Sequence, residues 1–197
     1  MPKIVDREQK REEIAKLSIS LLTKSSFSKL TVSQVAKNAN IAKGSIYRYF
    51  SSKEDILFAI IKQIMSEYDK EVIKNIESSS YIEDKVLSLF QLCISKNSID
   101  EKRRKIYKDF TSICLSKSNQ KMVNFQEEIR VKYIQWLKNI LADGIKNQRL
   151  KSEAIEFADG LFAMAEGILL LSHYDATILT KHVKSLFKII RKNKEKR

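Results

Sequence analysis

The sequence predicts an all-α fold in which three short N-terminal helices precede a larger helical bundle. Residues that break helices are scarce, because the 197-residue chain holds four glycines and a single proline, Pro2. Apolar residues recur at the spacing of a helix face, and no segment keeps the alternation that is typical of a strand. Hydrophobic residues make up 43% of the chain, which is enough to build a packed core.

The first three helices are predicted within the first 50 residues. The first covers about residues 6–24 and is followed by a polar break. Thr31 is placed to cap a second helix over residues 32–38, since a hydroxyl oxygen accepts from the unpaired N–H groups of a first turn. A turn at residues 39–41 leads to a third helix over residues 42–49. Two short helices joined by such a turn are typical of a helix-turn-helix.

The rest of the chain is predicted to form longer helices. The segment SSKED (51–55) offers a serine cap and two acids at the start of a fourth helix over residues 53–76. Five further helices are predicted over residues 82–96, 101–117, 121–148, 153–172 and 176–194. We therefore expect two domains, residues 1–50 and residues 51–197, which the fourth helix joins without a flexible linker.

Positive charge is concentrated near the N-terminus. The chain has a formal net charge of +13, and residues 1–50 hold ten lysines and arginines against four acids. No acid occurs from Ile14 to Lys53. A solvated helix normally mixes charges of both signs, so a polyanion lying against this stretch explains the pattern. The alternative is a generally lysine-rich composition, because lysine is abundant along the whole chain.

The third helix combines a buried stripe with a polar outer face. Ala42, Ile46 and Phe50 fall four residues apart and are predicted to face inward. The outer faces then carry Lys43, Ser45, Tyr47, Arg48 and Tyr49. The DNA major groove admits a helix, and hydroxyl and guanidinium donors can reach its phosphates. Gly44 lies near the N-terminus of this helix, where recognition helices approach base edges. Glycine costs about 1 kcal/mol relative to alanine in a helix, and close approach of the backbone to DNA would compensate for that cost.

The stretch LTVSQVAKNANIAKGSIYRYFSSKEDIL (30–57) closely resembles the DNA-binding signature of TetR-family regulators. The preceding IAKLSISLLTKSSF (14–27) is similar to the first helix of that family. Two positions depart from the family pattern, which usually has glycine where this chain has Ser26 and Asn40. Asparagine tolerates left-handed backbone geometry better than other non-glycine residues, so Asn40 is expected to preserve the turn.

The resemblance implies roles for nine residues in DNA binding. Thr31 and Ser33 would meet phosphate or a base edge, and Lys43, Gly44 and Ser45 would face the bases. Tyr47, Tyr49 and Lys53 would hold phosphates, with Arg48 reaching either target. Two alternatives stay open: Tyr47 could pack on the first helix, and Lys53 could be only a helix-start lysine.

The last two helices are candidates for a dimer interface. Gly160 and Gly167 are seven residues apart and Ala163 lies close to their face, which permits close helix approach. The final helix carries an apolar stripe of Leu179, Val183, Leu186 and Ile190. Two such helices from each of two chains would form a four-helix interface, as the family resemblance also implies. The alternative is that the glycine-containing helix packs only inside its own chain.

The bundle is rich in aromatic residues, most of which are expected in its core. In the family, such residues also line an apolar effector cavity between helices. The candidates are Phe90, Tyr107, Phe110, Phe125, Tyr133, Trp136, Phe162 and the carboxylate Glu166. Glu166 lies in an apolar run, where a carboxylate needs a partner. It could anchor a ligand, pair across a dimer or be a satisfied structural group.

Several kinds of site find no support in the sequence. His173 and His182 have no companion ligands, so we expect no metal. Motifs for phosphate loops, cofactors and catalysis are missing, so we expect neither a cofactor nor an enzyme. Cys93 and Cys114 are interpreted as buried thiols. The opening residues lack the pattern of a secretory signal and the longest apolar run is shorter than a membrane span, which predicts a soluble cytoplasmic protein.

The residues and the resemblance together predict a ligand-responsive, homodimeric transcriptional repressor. Its two recognition helices would enter successive major grooves of a near-palindromic operator, about 34–36 Å apart. A small apolar effector in the bundle would shift the helix at residues 53–76 and release the DNA. The alternatives are an architectural or cell-division DNA-binding protein on the same fold, or a helical ligand-binding protein with a vestigial DNA module.

Overall fold

The structure is a computed structural model that describes residues 6–24, 27–116, 119–171, 175 and 177–192. Within those ranges every regular element is a helix, apart from one isolated antiparallel bridge between Leu150 and Arg191, which confirms the predicted all-α fold. The α-helices are α1 Arg7–Lys24, α2 Val32–Asn38, α3 Lys43–Ile46, α4 Lys53–Ser78, α5 Ile82–Leu89, α6 Gln91–Ile94, α7 Ser98–Leu115, α8 Gln120–Lys146, α9 Ala158–Leu170 and α10 Thr177–Ile190. Two 3₁₀ turns cover Phe27–Lys29 and Ser152–Phe157.

The chain divides into two compact units. The first comprises the residues up to Lys70 together with Lys105–Val123, and the second comprises Glu71–Arg104 together with the residues from Asn124 onward. Helices α4, α7 and α8 each contribute residues to both units. The predicted functional boundary after residue 50 stays a prediction, because these units group residues by packing and not by DNA contact.

The helix-turn-helix of the first unit begins and turns where the sequence predicts. The backbone N–H of Gln34 donates to Thr31 Oγ1 at 3.2 Å, and the N–H of Thr31 donates to Gln34 Oε1 at 2.8 Å. This reciprocal capping box fixes the start of α2. Asn40 has a φ of 53°, which confirms that it takes the left-handed geometry expected of the turn. Ser26, the other departure from the family pattern, lies outside the described residues.

Helix α3 is shorter than predicted. It covers Lys43–Ile46, and Ala42 is an exposed, extended residue before the helix, so its predicted place in the buried stripe is wrong. The N–H groups of Arg48 and Tyr49 donate to carbonyls three residues back, which tightens the chain into a turn. Ile46 and Phe50 are buried as expected, and the N–H of Phe50 donates to the Ile46 carbonyl at 3.0 Å.

Several helix limits in the second unit differ from prediction because of local capping and turns. The predicted helix over residues 82–96 divides at Phe90, which lies between α5 and α6. Asn97 starts α7 earlier than expected, since its Oδ1 accepts from the N–H of Asp100 at 2.7 Å. The predicted helix over residues 153–172 opens as a 3₁₀ turn and becomes α9 only at Ala158. Residues 176, 193 and 194 of the predicted last helix lie outside the described residues.

Other expectations concern burial and membrane contact. Cys93 and Cys114 are buried, as predicted, and burial raises the pKa of the Cys93 thiol to about 12 and that of Cys114 to about 11. Among the described residues, no helix is both long enough and apolar enough to cross a bilayer.

Candidate nucleic-acid interface

The nine residues predicted to contact DNA all keep exposed surface in the first unit. Thr31, Ser33, Lys43, Gly44, Tyr47 and Arg48 are exposed, and Ser45, Tyr49 and Lys53 are half-buried. The Tyr47 side chain is 58% exposed, so any packing against α1 leaves most of its surface open. The surrounding lysines of the acid-free stretch are exposed as well: Lys16, Lys24, Lys29 and Lys37. The unit therefore presents hydroxyl and cationic donors with no carboxylate from its α2–α3 segment.

Among the described residues, no packing contact requires a glycine at position 44. A Cβ built at this position meets nothing within 4 Å, and no glycine among the described residues has a positive φ. Neither packing nor backbone geometry therefore explains why glycine, the weakest helix former after proline, stands in α3. The open space in front of its backbone is available to an external partner.

Thr31 and Lys53 have contacts within the fold that bear on their predicted roles. The Thr31 hydroxyl donates to Gln34 Oε1 at 2.9 Å and accepts from the Gln34 N–H, so the cap uses its O–H donor and one of its two lone pairs. The Lys53 ammonium lies 4.8 Å from the centroid of the Phe27 ring, a cation–π contact. Part of the role of Lys53 is therefore structural, in line with its alternative as a helix-start lysine.

Arg11 of α1 supports this face and was not singled out by the sequence. Its guanidinium donates to both carboxylate oxygens of Asp55, at 2.9 Å and 3.2 Å, and also to the Tyr49 carbonyl. The same guanidinium lies 4.6 Å from the centroid of the Phe50 ring. Asp55 further accepts from the backbone N–H of Ser51 at 2.9 Å. Four segments thus meet at one ion pair: α1, the residues after α3, the loop at Ser51 and the first turn of α4.

The ion pair changes the acidity of both partners. The hydrogen bond from Arg11 lowers the pKa of Asp55 from 3.8 to about 2, although partial burial opposes this shift. The hydrogen bond to Asp55 raises the pKa of Arg11. The sequence pointed to Asp55 only as an acid near the helix dipole, because its partner lies 44 residues away in the chain.

The predicted dimer residues divide between surface and core. Gly160 and Ala163 are exposed, and Gly167 and Leu186 are half-buried. The prediction is wrong for Leu179, Val183 and Ile190, which are at most 3% exposed in the single chain. Their stripe packs inside the second unit, where α10 contacts α5, α6 and α9. A second subunit cannot reach them without unfolding this core.

A different face of α9 and α10 remains open. Residues on both sides form a groove of about 320 Å³, lined by Phe157, Gly160, Leu161, Met164, His182, Ser185, Leu186 and Ile189. Phe157 is 41% exposed and Ile189 is 65% exposed. A Cβ at Gly160 or Gly167 would meet nothing within 4 Å. The sequence did not point to Phe157, Met164 or Ile189, because helical spacing on α10 indicates a different apolar stripe, which lies in the core.

The predicted pocket residues belong to both units. Tyr107 and Phe110 lie buried in the first unit, with ring centroids 6.3 Å apart. In the second unit Phe90 and Tyr133 are buried, whereas Phe125, Trp136, Phe162 and Glu166 are half-buried. Trp136 lines a cavity of about 330 Å³ between the ends of α4, α5 and α8. The assignment of all eight residues to an effector cavity, Trp136 included, stays a prediction.

No group of three potential metal ligands occurs among the described residues. His173 lies outside them, and His182 is exposed on the α9–α10 groove. The absence of a metal site therefore stays a prediction.

Comparison with known proteins connects this geometry to a family. Residues 14–60 match the family model described as bacterial regulatory proteins, tetR family. The HTH-type transcriptional regulator HbdR of Aromatoleum sp. (strain CIB) is 32% identical over 80 residues, which cover 41% of this chain and 34% of that protein. The match therefore spans about a third of that relative's length.

Two further similarities extend beyond the N-terminal unit. The fatty acid metabolism regulator protein of Bacillus subtilis (strain 168) is 26% identical over 145 residues, covering 74% of this chain and 73% of the relative. The crystal structure of a TetR-family transcriptional regulator from Cytophaga hutchinsonii shares the fold with a TM-score of 0.81 at 14% identity, covering 98% of this chain and 100% of that one.

Proposed function

We propose that the chain, whose residues 14–60 match the model of the tetR family of bacterial regulatory proteins, is a ligand-responsive, homodimeric repressor that binds operator DNA in the cytoplasm. The observation that carries the proposal is Gly44, which lies exposed in α3 with open space before its backbone. A helix that enters the major groove needs open space in front of its N-terminal residues, because these residues approach the base edges.

The remaining residues of the face supply the two kinds of contact that DNA recognition needs. Lys43 and Ser45 flank Gly44 and would read base edges, while Tyr47, Tyr49 and Arg48 would hold phosphates. Ser33 would add a contact from the start of α2. Thr31 and Lys53 would contribute mainly by positioning, because the capping box and the Phe27 ring already engage their side chains.

Dimerisation would use the α9–α10 groove. One three-helix module makes too few contacts for tight specific binding, so two copies on a near-palindromic site are expected. Exposed Phe157 and Ile189 offer apolar surface to a partner, and the open positions Gly160 and Gly167 permit close approach of a second α9. Two helices from each subunit would then pack as a four-helix interface.

The effector would be a small molecule with a substantial apolar part, bound in the second unit. Its binding would shift α4, whose first turn follows the DNA-binding face, and would favour the conformation that does not bind the operator. Such coupling typically amounts to about 1–3 kcal/mol. It requires a ligand that binds the two conformations with different affinity.

The proposal is tested by selecting bound fragments from sheared DNA of the source genome and measuring their affinity by fluorescence anisotropy. We expect near-palindromic sites upstream of genes, with affinity that falls linearly as log salt rises. Sites scattered away from promoters would instead favour an architectural protein. Absence of any salt-dependent DNA binding would contradict the proposal and favour a helical ligand-binding protein.

A further inference from the structure

Two adjoining cavities in the second unit differ in the net charge of the residues that line them. The first, of about 330 Å³, lies between the last turns of α4, the start of α5 and the end of α8. The second, of about 890 Å³, lies between the α4–α5 loop, the segment after α8 and the end of α10. Ser80, Ile82 and Arg149 line both cavities, so the two spaces share a wall.

Most of the surface of the first cavity is apolar, although polar and charged residues also line it. Ile73, Ile76, Ile82, Ile140 and Trp136 all contribute to it. Ile73 is 41% exposed, although burying an isoleucine side chain is worth about 1.5–3 kcal/mol. The acids Glu77 and Asp143 and the cations Lys85 and Arg149 also line this cavity, so its charged residues balance. An apolar ligand segment that covered the isoleucines would gain that burial.

The second cavity is strongly cationic. Arg149, Lys188, Arg191 and Lys192 line it against a single carboxylate, Glu83, which pairs with Arg191. The lining therefore carries a surplus of positive charge that Glu83 cannot balance. Cations gathered around a concave space repel one another, and an anion bound among them relieves this repulsion.

The backbone holds these cations in place. The N–H of Lys151 donates to the Ile190 carbonyl at 2.8 Å, and the N–H of Lys192 donates to the Arg149 carbonyl at 3.1 Å. This short antiparallel pairing fixes Arg149 beside the end of α10. Arg149 and Lys192 therefore lie at fixed positions beside the second cavity, because hydrogen bonds pair the backbone segments to which they belong.

Gly144 lets the two cavities approach each other. A Cβ at this position would lie 2.6 Å from Leu150 Cδ1 and 2.8 Å from Ile82 Cδ1. Both distances are shorter than van der Waals contact, so these side chains would have to move. The glycine therefore allows the buried Leu150, and with it Arg149, to pack against α8 and the start of α5. Substitution by a larger residue would push the shared wall apart.

We propose that the two cavities form one site for a single-chain amphiphile with an anionic headgroup, a carboxylate or a phosphate. The alkyl chain would lie over Ile73, Ile76 and Trp136, and the headgroup would lie among Arg149, Lys188 and Lys192. A purely apolar ligand would leave the cations unmatched, and a simple anion would leave the isoleucines uncovered. The identification of this amphiphile as the effector rests on the proposed function, whereas its binding does not.

Trp136 is the sole tryptophan of the chain and reports on the site directly by its fluorescence. The full-length protein is titrated with dodecyl phosphate, dodecanoate, dodecanol and inorganic phosphate, each below its micelle concentration. We expect both amphiphilic anions to change the emission and to bind at least tenfold more tightly than dodecanol. The tighter of the two anions identifies the preferred headgroup. Inorganic phosphate alone is expected to leave the emission unchanged.

Three variants separate the two halves of the site. Arg149→Gln is expected to weaken dodecyl phosphate about tenfold and dodecanol little, because only the headgroup loses a partner. Ile73→Ser, at a half-open position that tolerates a polar side chain, is expected to weaken both ligands alike. Lys102→Gln, an exposed lysine of the same unit outside both cavities, serves as the control and should change neither affinity. Circular dichroism of each variant checks that the fold is retained.

The titrations test the binding site separately from the role of the amphiphile as effector. Equal binding of dodecanol and dodecyl phosphate, or an unchanged Trp136 emission with every amphiphile, would overturn the proposal. The same titration in the presence of selected operator DNA measures whether the amphiphile releases the protein from the DNA. Binding of the amphiphile without release supports the site and removes its role as effector, while failure to bind any DNA counts against the proposed function alone.

Discussion

Arg11 and Asp55 join α1 to the first turn of α4 through a two-pronged ion pair, with N–O distances of 2.9 Å and 3.2 Å. Both side chains are largely enclosed, at 19% and 16% exposure. Because the same guanidinium also donates to the Tyr49 carbonyl, the pair fixes the segment that presents Tyr47 and Tyr49. A pair with this geometry contributes more than an ordinary surface ion pair.

We expect Asp55→Asn to reduce the free energy of unfolding by about 1–2 kcal/mol at pH 7, with solvent at the open side of the pair limiting the effect. The pKa of Asp55 falls from 3.8 to about 2 on folding. A carboxyl with a lowered folded pKa stabilises the fold above its unfolded pKa and loses that contribution as the pH falls. The difference between wild type and variant should therefore shrink between pH 4 and pH 2.

Urea unfolding at pH 7, 4 and 2 measures this difference. Glu127→Gln is the control, since Glu127 pairs with Arg130 on the surface and should change little at any pH. A wild-type advantage that stayed constant down to pH 2 would show that the pair is not the source of the stability.

Gly44→Ala and Gly144→Ala are expected to have opposite effects. A methyl group at residue 44 meets nothing within 4 Å, so the variant should fold at least as well as the wild type and bind DNA more weakly. A methyl group at residue 144 would collide with Leu150 and Ile82 and should cost about 1–3 kcal/mol of stability. Thermal unfolding and anisotropy with operator DNA measure both variants, and full DNA affinity in Gly44→Ala would argue against close approach of α3.

Tyr47→Ala is expected to weaken all DNA sequences by a similar factor, about fivefold for one lost phosphate hydrogen bond. Substitution of Lys43 or Ser45 should instead change which sequences are preferred, by about 1–3 kcal/mol per base contact. Binding-site selection with each variant measures the preference. Ile99→Ala, a 61% exposed side chain of the second unit, is the control. Unchanged DNA affinity in Tyr47→Ala would exclude the docking of α3 as described.

Ile189→Lys is expected to dissociate the proposed dimer while each chain stays folded, because this side chain is 65% exposed in the single chain. Val183→Ala should instead lower the stability of the chain itself, by about 1–3 kcal/mol, because Val183 is fully buried. Sedimentation velocity and thermal unfolding separate the two effects, with Ile99→Lys as the control. A dimer that survives Ile189→Lys would place the interface elsewhere.

Local signals in the sequence were enough to predict the helix-turn-helix. Thr31 and Gln34 lie three residues apart, so their capping box can be read from the sequence. The left-handed turn at Asn40 was expected because the family pattern usually has glycine there and asparagine tolerates the same geometry. The spacing of Ile46 and Phe50 also indicated their burial correctly. Each of these features is decided within a few residues.

Features that depend on distant residues could not be predicted in the same way. The Arg11–Asp55 pair and the pairing of residues 149–151 with residues 190–192 join segments far apart in the chain. The stripe on α10 shows the same limit, since helical spacing identifies an apolar face but not which surface covers it. Here α5, α6 and α9 of the same chain cover Leu179 and Val183, so the spacing alone could not distinguish core from interface.

The capping box at Thr31 has a consequence for the thermodynamics of recognition. Its hydroxyl is committed to Gln34 before any DNA is present, just as the Arg11 guanidinium is committed to Asp55 and Tyr49. Side chains that are already ordered lose little conformational entropy when a complex forms. The α2–α3 segment is therefore preorganised for DNA. The rate of its association with DNA should be limited by diffusion and orientation, because no slow rearrangement of this segment is needed.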